Sequence, residues 1–333
     1  MKAAYFETTG TPDVIRIGDL PTPDPKPGEV LVKVLAASIS PIDTYIRGGA
    51  VNMPRPTPCI TGSDLAGVVA AIGEGVHRFK AGDRVWGSNQ GLLGRQGTCA
   101  EYACVRQEWL YHTAKNVLDE QAAAMALVGI TAHLGLFVTA KLKAGETIFV
   151  NGGTGGVGSA VVQMAKAVGA RVITTVGSDE KVALARELGA DHALNYKSED
   201  LIGQLKGVIG GGGINVWYET LPPSDLDRTF ELMALRGRIV VMAGRQARPA
   251  FPNGPFYVKG LSMYGFAMFN ASPDEQAVCA EDINSWEGSG KLKALIGKRF
   301  SLAETGLAHQ FQEENTTRKA GTLTGKIVIL PNN

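Results

Sequence analysis

Thr147-Ile148-Phe149-Val150-Asn151-Gly152-Gly153-Thr154-Gly155-Gly156-Val157-Gly158 is an apolar run followed by glycines spaced G-x-G-x-x-G at Gly153, Gly155 and Gly158. The apolar run reads as a strand, and the segment from Gly156 to Gly169 as a helix. At such a junction each glycine has its own physical use. The first permits a tight turn, and the second lets backbone N–H groups approach an anion. The third lets helix and strand pack closely, while the helix N-terminus adds positive potential. The same spacing also serves as a plain turn, so its meaning depends on what surrounds it.

The surroundings are repeated β-α-β units. Arg171 to Val176 reads as a strand and Asp179 to Leu188 as a helix. A strand at His192 to Tyr196 and a helix from Glu199 to about Val208 follow. Ile214 to Glu219, Arg238 to Met242 and Leu261 to Met268 read as further strands, with a helix from about Asp225 to Leu235. Gln121 to Val138, ahead of the block, is apolar at helical spacing. Continuously apolar strands joined by helices predict a parallel sheet covered on both faces. In that setting the glycine loop predicts a bound dinucleotide. The first 120 or so residues differ, with short strands such as Val30 to Ala37 and Leu65 to Gly73 between Gly and Pro turns. They predict a compact, barrel-like β unit.

Which dinucleotide binds is read at the tip of the second strand. NAD sites usually place Asp or Glu there to accept from the ribose 2′-hydroxyl. Here the strand ends Val176-Gly177-Ser178, with Asp179, Glu180 and Lys181 opening the next helix. Ser178 and Lys181 suit a 2′-phosphate, whereas Asp179 and Glu180 also fit the plain preference for acids at a helix start. The expected cofactor is NADPH.

Composition bounds the rest. At 333 residues the chain exceeds a usual single core, so two domains are expected. A net charge of +1, with 20% charged residues, predicts neither a nucleic-acid partner nor an anionic membrane surface. No run of about 18 consecutive apolar residues stands out as a membrane span, and Met1 to Glu7 lacks a signal-peptide pattern. Four cysteines, Cys59, Cys99, Cys104 and Cys279, read as reduced thiols, so a cytoplasmic protein is expected.

Taken in order, these segments resemble the medium-chain dehydrogenase/reductase superfamily, in its zinc-independent quinone oxidoreductase (zeta-crystallin-like) branch. The resemblance runs through Pro27-Gly28-Glu29-Val30, Ser40-Pro41-Ile42-Asp43-Thr44-Tyr45, Gly62-Ser63-Asp64, Gly82-Asp83-Arg84-Val85, the glycine loop and the closing Gly325-Lys326-Ile327-Val328. It implies an α/β fold with a GroES-like catalytic domain, residues 1–122 and 269–333, interrupted by a Rossmann domain, residues 123–268. It further implies phosphate contacts at Thr154, Gly155, Gly156 and Val157, and a 2′-phosphate held by Ser178, Lys181 and Tyr196. The nicotinamide end would lie near Thr131, Gly244, Arg245, Phe266 and Met268. A homodimer joined at sheet edges is common in the family. The chain departs from the branch at Ser40, where Asn is frequent, and at Ala50-Val51-Asn52, where a second tyrosine is missing.

Zinc-dependent relatives need thiolate and imidazole ligands. This chain has Ser38 and Ser63 at the first two matching positions, and its histidines show no ligand spacing. No metal is expected. Without a Lewis acid, alcohol oxidation is hard, but hydride donation to a quinone or conjugated enone remains feasible. Tyr45 is expected either to assist at the acceptor oxygen or to pack a wall of the cleft, and Ser40 to orient the acceptor. Trp86 to Leu93 and Tyr264 to Phe269 are candidate walls for a flat apolar acceptor, or core. Cys59 has no paired base and reads as a plain thiol. The reading is an NADPH:quinone oxidoreductase, with a 2-alkenal or enone reductase and a non-catalytic NADPH-binding, crystallin-like protein as alternatives.

Overall fold

The computed structural model describes residues 1–222 and 225–332. Along the chain come β1 (Lys2–Phe6), β2 (Arg16–Asp19), β3 (Glu29–Ile39), α1 (Pro41–Arg47), β4 (Cys59–Ile60), β5 (Asp64–Ile72), β6 (Arg84–Gly87), β7 (Tyr102–Arg106), β8 (Leu110–His112) and α2 (Asp119–His133). Then follow β9 (Thr147–Asn151), α3 (Gly156–Ala167), β10 (Arg171–Val176), α4 (Asp179–Glu187), β11 (His192–Asn195), α5 (Leu201–Ile209), β12 (Ile214–Glu219), α6 (Leu226–Leu232), β13 (Met233–Val241), α7 (Asn253–Val258) and β14 (Ser262–Gly265). The chain closes with α8 (Pro273–Gly288), β15 (Ile296–Ser301), α9 (Thr305–Thr316) and β16 (Lys326–Leu330). Two compact units result, Met1–Ile130 with Ala271–Asn333, and Thr131–Asn270. The sequence reading drew its boundaries at 122/123 and 268/269.

The first unit is β-rich. One sheet runs β2-β1-β4; a larger one runs β15-β16-β3-β5-β6-β8, with β7 also on β3. β3 explains the centre of this unit. It pairs with β5, β7 and β16, and its second half, Ala36 to Ile39, is buried throughout. Opposite it Gly67 is obligatory, because a Cβ there would lie 2.0 Å from the Lys33 carbonyl oxygen. The core joins Val30, Val32, Val34, Leu65, Leu110 and Ile327. At about 1.5–3 kcal/mol per fully buried aliphatic side chain, this cluster dominates the unit's stability.

In the second unit all strand pairings are parallel, in the order β11-β10-β9-β12-β13-β14. That is the doubly wound Rossmann order. The chain steps outward from β9 through β10 to β11, then returns to the other side of β9 for β12. The switch point therefore lies between β9 and β12, where the glycine loop leaves the sheet. β9, β10 and β12 are buried on both faces, which is why their sequences are continuously apolar.

Three expectations need correction. The strand expected over Leu261 to Met268 ends at Gly265, and Met268 opens a 3₁₀ turn. β13 begins at Met233, where the sequence suggested helix to Leu235, because Met233 pairs with Ile214 before a register shift. The helix starting at Asp119 extends through a π-helical turn to Thr139, 21 residues containing an 18-residue window of mean hydropathy 1.8, so a helix long and apolar enough to cross a membrane does exist. Its most apolar window is 78% buried within the protein, as in a core helix.

Candidate functional site

The glycine loop is tied to the neighbouring strand at its root. The N–H groups of Gly152 and Gly153 both donate to the Thr175 carbonyl, at 3.2 and 3.0 Å. A Cβ on Gly153 would meet Thr174 Oγ1 at 2.1 Å, and one on Gly158 would meet the Gly152 carbonyl oxygen at 2.1 Å. Packing alone therefore requires the first and third glycines. Gly155 is different: it is exposed, and the nearest atom to a Cβ would be the Gly152 oxygen at 3.4 Å. The space above it is open, Thr154 is buried beside it, and Gly156 and Val157 begin α3 half-buried. The first N–H groups of a helix have no intrahelical acceptor. An open cradle backed by such donors fits a diphosphate.

At the tip of β10, Ser178 caps α4 by accepting from the Lys181 N–H at 3.4 Å. The Tyr196 hydroxyl covers Gly177, 2.8 Å from where its Cβ would stand, and the Tyr196 N–H donates to the Val176 carbonyl at 3.0 Å. Partial burial, then the neighbouring Lys197 ammonium, pulls the Lys181 ammonium below its ordinary pKa. Asp179 is turned aside, accepting from Asn195 Nδ2 at 2.9 Å. Lys181, Lys197 and Tyr196 thus lie near the tip of β10, where an NAD site would carry an acid. Lys197 was missed in the sequence because it lies on the turn after β11, beyond the β10 tip that was read.

The remaining cofactor candidates mostly follow strand ends on this same edge of the sheet. Gly244 (φ +83°) and Arg245 open the turn after β13, closed by the Ala247 N–H on the Gly244 carbonyl at 2.7 Å. Phe266, half-buried, and Met268, buried, follow β14. Thr131 is a buried helical residue whose carbonyl accepts from the Tyr218 hydroxyl at 3.0 Å. Glu219, a carboxyl 5% exposed at the end of β12, carries no signal in the sequence. It accepts from Asn151 Nδ2 and the Leu221 N–H, both at 2.9 Å, and from Trp217 Nε1 at 3.1 Å. Burial raises its pKa. Thr175 Oγ1 donates to Asn151 Oδ1 at 2.7 Å, so β9, β10 and β12 are locked together beneath a recess of about 240 Å³ lined by Asn151, Tyr196, Trp217 and Leu221. A larger groove of about 600 Å³ lies around Gly210–Gly213, at the opposite ends of the strands. Its cations are occupied: Lys259 Nζ donates to three carbonyls and Lys206 to Glu231.

The first unit holds a buried polar cluster. Ser38 Oγ and Ser88 Oγ donate to the two oxygens of Asp64, each at 2.7 Å. Ser63 Oγ donates to Asp43 Oδ1 at 2.5 Å, and the Ser40 N–H to Asp43 Oδ2 at 2.7 Å. Burial pushes the Asp43 carboxyl up to about 7 and raises Asp64 as well. Ser40 is fully buried, its Oγ accepting from Lys326 Nζ at 2.5 Å. Tyr45, one turn along α1, is half-buried, and burial raises its hydroxyl, which keeps the phenol protonated and able to donate a hydrogen bond. Trp86 is core, 1% exposed, with its Nε1 on Asn284 Oδ1 at 2.9 Å; Leu92 is also buried, whereas Leu93 is 46% exposed. Burial lifts the Cys59 thiol to about 11, so it is no nucleophile at neutral pH.

Residues 26–115 match the family model of the alcohol dehydrogenase GroES-like domain, and residues 156–283 that of zinc-binding dehydrogenases. The human quinone oxidoreductase is 32% identical over 331 residues, covering 99% of this chain and 98% of the relative. The chain belongs to the quinone oxidoreductase family of medium-chain dehydrogenases/reductases. Among solved structures, Escherichia coli quinone oxidoreductase complexed with NADPH superposes with a TM-score of 0.87 at 27% identity, covering 99% of this chain and 100% of that one. An NAD-dependent alcohol dehydrogenase gives 0.88 at 29% identity, with coverage of 99% and 100%. This family member is an oxidoreductase with GroES-like and Rossmann units.

One of the matching family models is named for zinc, so the fit of a metal matters. The two serines at the ligand positions donate their protons to carboxylates, and an ammonium, Lys326 Nζ, lies 3.6 Å from Asp64 Oδ2. Among the described residues no three His, Cys, Asp or Glu side chains group to hold a metal ion. At the positions where a zinc would need thiolate or imidazole ligands this chain has neutral hydroxyls, committed to carboxylates beside a buried ammonium. These residues do not fit the metal.

Proposed function

We propose that this oxidoreductase passes hydride from NADPH to quinone-type electrophiles without a metal. The supporting observation is the strand tip formed by Ser178, Lys181, Tyr196 and Lys197, where the charge of Lys197 is felt at Lys181 and Asp179 accepts from Asn195. A 2′-phosphate gains charge-assisted hydrogen bonds from lysines at such a tip; a free 2′-hydroxyl does not. Thr154 to Val157 hold the diphosphate, and Thr131, Gly244, Arg245, Phe266 and Met268 serve the nicotinamide end. Bound NADPH supplies the hydride. The protein's own residues orient the acceptor and stabilise the oxyanion that develops on it, with the Tyr45 hydroxyl as hydrogen-bond donor. Ser40 acts from behind, as a buried anchor of α1.

The same reading makes the protein a homodimer. β14 is the last strand of its sheet, and Tyr264 (40%), Tyr257 (68%) and Val258 (68%) are exposed on or near it. An unprotected apolar edge favours pairing with a second copy. The cysteines are all free, which fits a reducing, cytoplasmic compartment. No nucleic acid or membrane partner is proposed.

The test is NADPH absorbance loss with 1,4-benzoquinone, 9,10-phenanthrenequinone and a 2-alkenal. Turnover of the quinones supports the proposal. Turnover of the alkenal alone reassigns the chain to enone reduction, and binding without turnover makes it a non-catalytic NADPH protein. Light scattering on the eluting peak checks the dimer.

A further inference from the structure

Lys326 opens β16 immediately before Ile327-Val328-Ile329, all fully buried. It is itself 4% exposed. An ammonium is strongly penalised away from water unless its donors are consumed. Here Nζ donates to the Ile39 carbonyl at 2.9 Å and to Ser40 Oγ at 2.5 Å, and lies 3.6 Å from Asp64 Oδ2. Ile39 is the last residue of β3, and Ser40 is the N-cap of α1. α1 has seven residues, too few for a helix to fix its own orientation. Its start is held by Lys326 on one side and by the Asp43 carboxylate, bonded to the Ser40 N–H, on the other. Tyr45 rides on that helix. The Ser38 hydroxyl is held by Asp64, which Lys326 faces, and the Ser63 hydroxyl by Asp43.

We propose that Lys326 is a positioning residue, the resident cation of this site, which ties the end of β3 at Ile39 and the N-cap of α1 at Ser40 to the buried Asp64 carboxylate. Hydrogen bonds and one ion pair gather both serines that stand at ligand positions, two carboxylates and one ammonium around the first turn of α1. A metal and this lysine exclude each other, because both need the negative charge of Asp64. The kinetic consequence rests on the reductase reading; the anchoring of α1 does not.

The test compares wild type with Lys326→Met, Lys326→Arg and the double variant Lys326→Met/Asp64→Asn. Lys326→Met strands a buried carboxylate and lowers the melting temperature by about 5–10 °C. The double variant removes the pair together and recovers most of that loss, which keeps the test valid if the single variant misfolds. It is expected to lose about 10- to 100-fold in quinone kcat through misplacement of the α1 side chains, with NADPH Kd and quinone KM within about twofold of wild type. Lys326→Arg, which keeps the charge, restores part of kcat. Hydrogen exchange of the peptide covering residues 38–49 is expected to quicken about tenfold in the double variant, while peptides of residues 147–176 stay unchanged. Wild-type kcat in the double variant, or unchanged exchange at 38–49, overturns the proposal. A wild type that turns over no quinone but shows the exchange difference defeats the reductase reading and leaves the anchoring role standing.

Discussion

The glycine loop and the Lys326 cluster solve the same problem, placing charge where it is needed, in opposite ways. In the loop, positive potential comes from backbone N–H groups on consecutive residues, and Gly155 stays exposed so that an anion can reach them. In the cluster, charge comes from side chains at 43, 64 and 326, distant in sequence and sealed from water. The loop is built to be neutralised by a ligand. The cluster satisfies itself: both carboxylates accept from serines, Asp64 also faces the ammonium, and burial pushes Asp43 up to about 7. The contrast teaches that one chain can hold an open charge site for a cofactor and a closed one for architecture, and burial tells them apart.

The comparison can be broken most severely at the loop. Gly158→Val puts a side chain where only 2.1 Å separates its Cβ from the Gly152 carbonyl oxygen, so the cradle must distort. NADPH Kd, read by nucleotide fluorescence, is expected to rise by about 100-fold or more, two decades at about 1.4 kcal/mol each. Lys181→Ala tests the second phosphate. One charge-assisted hydrogen bond is worth roughly 1.5–3 kcal/mol, so NADPH should weaken by about 10- to 150-fold while NADH barely changes. Equal losses for both nucleotides would count against a 2′-phosphate site.

Tyr45→Phe is a smaller change on the acceptor side. Loss of one neutral hydrogen bond predicts about a 5- to 10-fold fall in kcat on quinones, and an unaltered kcat would remove the hydroxyl from the chemistry. The smallest effect concerns a closed site that is not neutralised. Glu287 is 6% exposed, its Oε1 has no partner, and burial raises its carboxyl to about 8. An acid with a raised folded-state pKa is favoured protonated, so stability falls as pH climbs from about 4 to about 8 and the loss is complete above that. Glu287→Gln should therefore gain about 1–3 kcal/mol at pH 9 and little at pH 5, measured by denaturant unfolding.

Legibility followed the same divide. The loop, the β-α-β alternation and the strand tip were readable because each is local: Gly153, Gly155 and Gly158 lie within six residues, and Ser178 and Lys181 within four. Lys197 and Glu219 were not, since their roles arise from parallel neighbours across the sheet. Lys326 was visible only as part of a closing strand motif. A signal was present even so: a lysine heading an otherwise apolar strand must find a buried partner. Ser40, expected from the sequence to orient the acceptor, is fully buried, with its Oγ accepting from Lys326 Nζ. Trp86, proposed as either wall or core, is core because Asn284 on α8 satisfies its indole N–H.

The proposed hydride transfer needs no metal, and Lys326 is the buried cation of the site. Protein dialysed exhaustively against a chelator, with its metal content measured by mass spectrometry, should oxidise NADPH with 1,4-benzoquinone at an undiminished kcat. Activity lost on chelation and restored by zinc would contradict it.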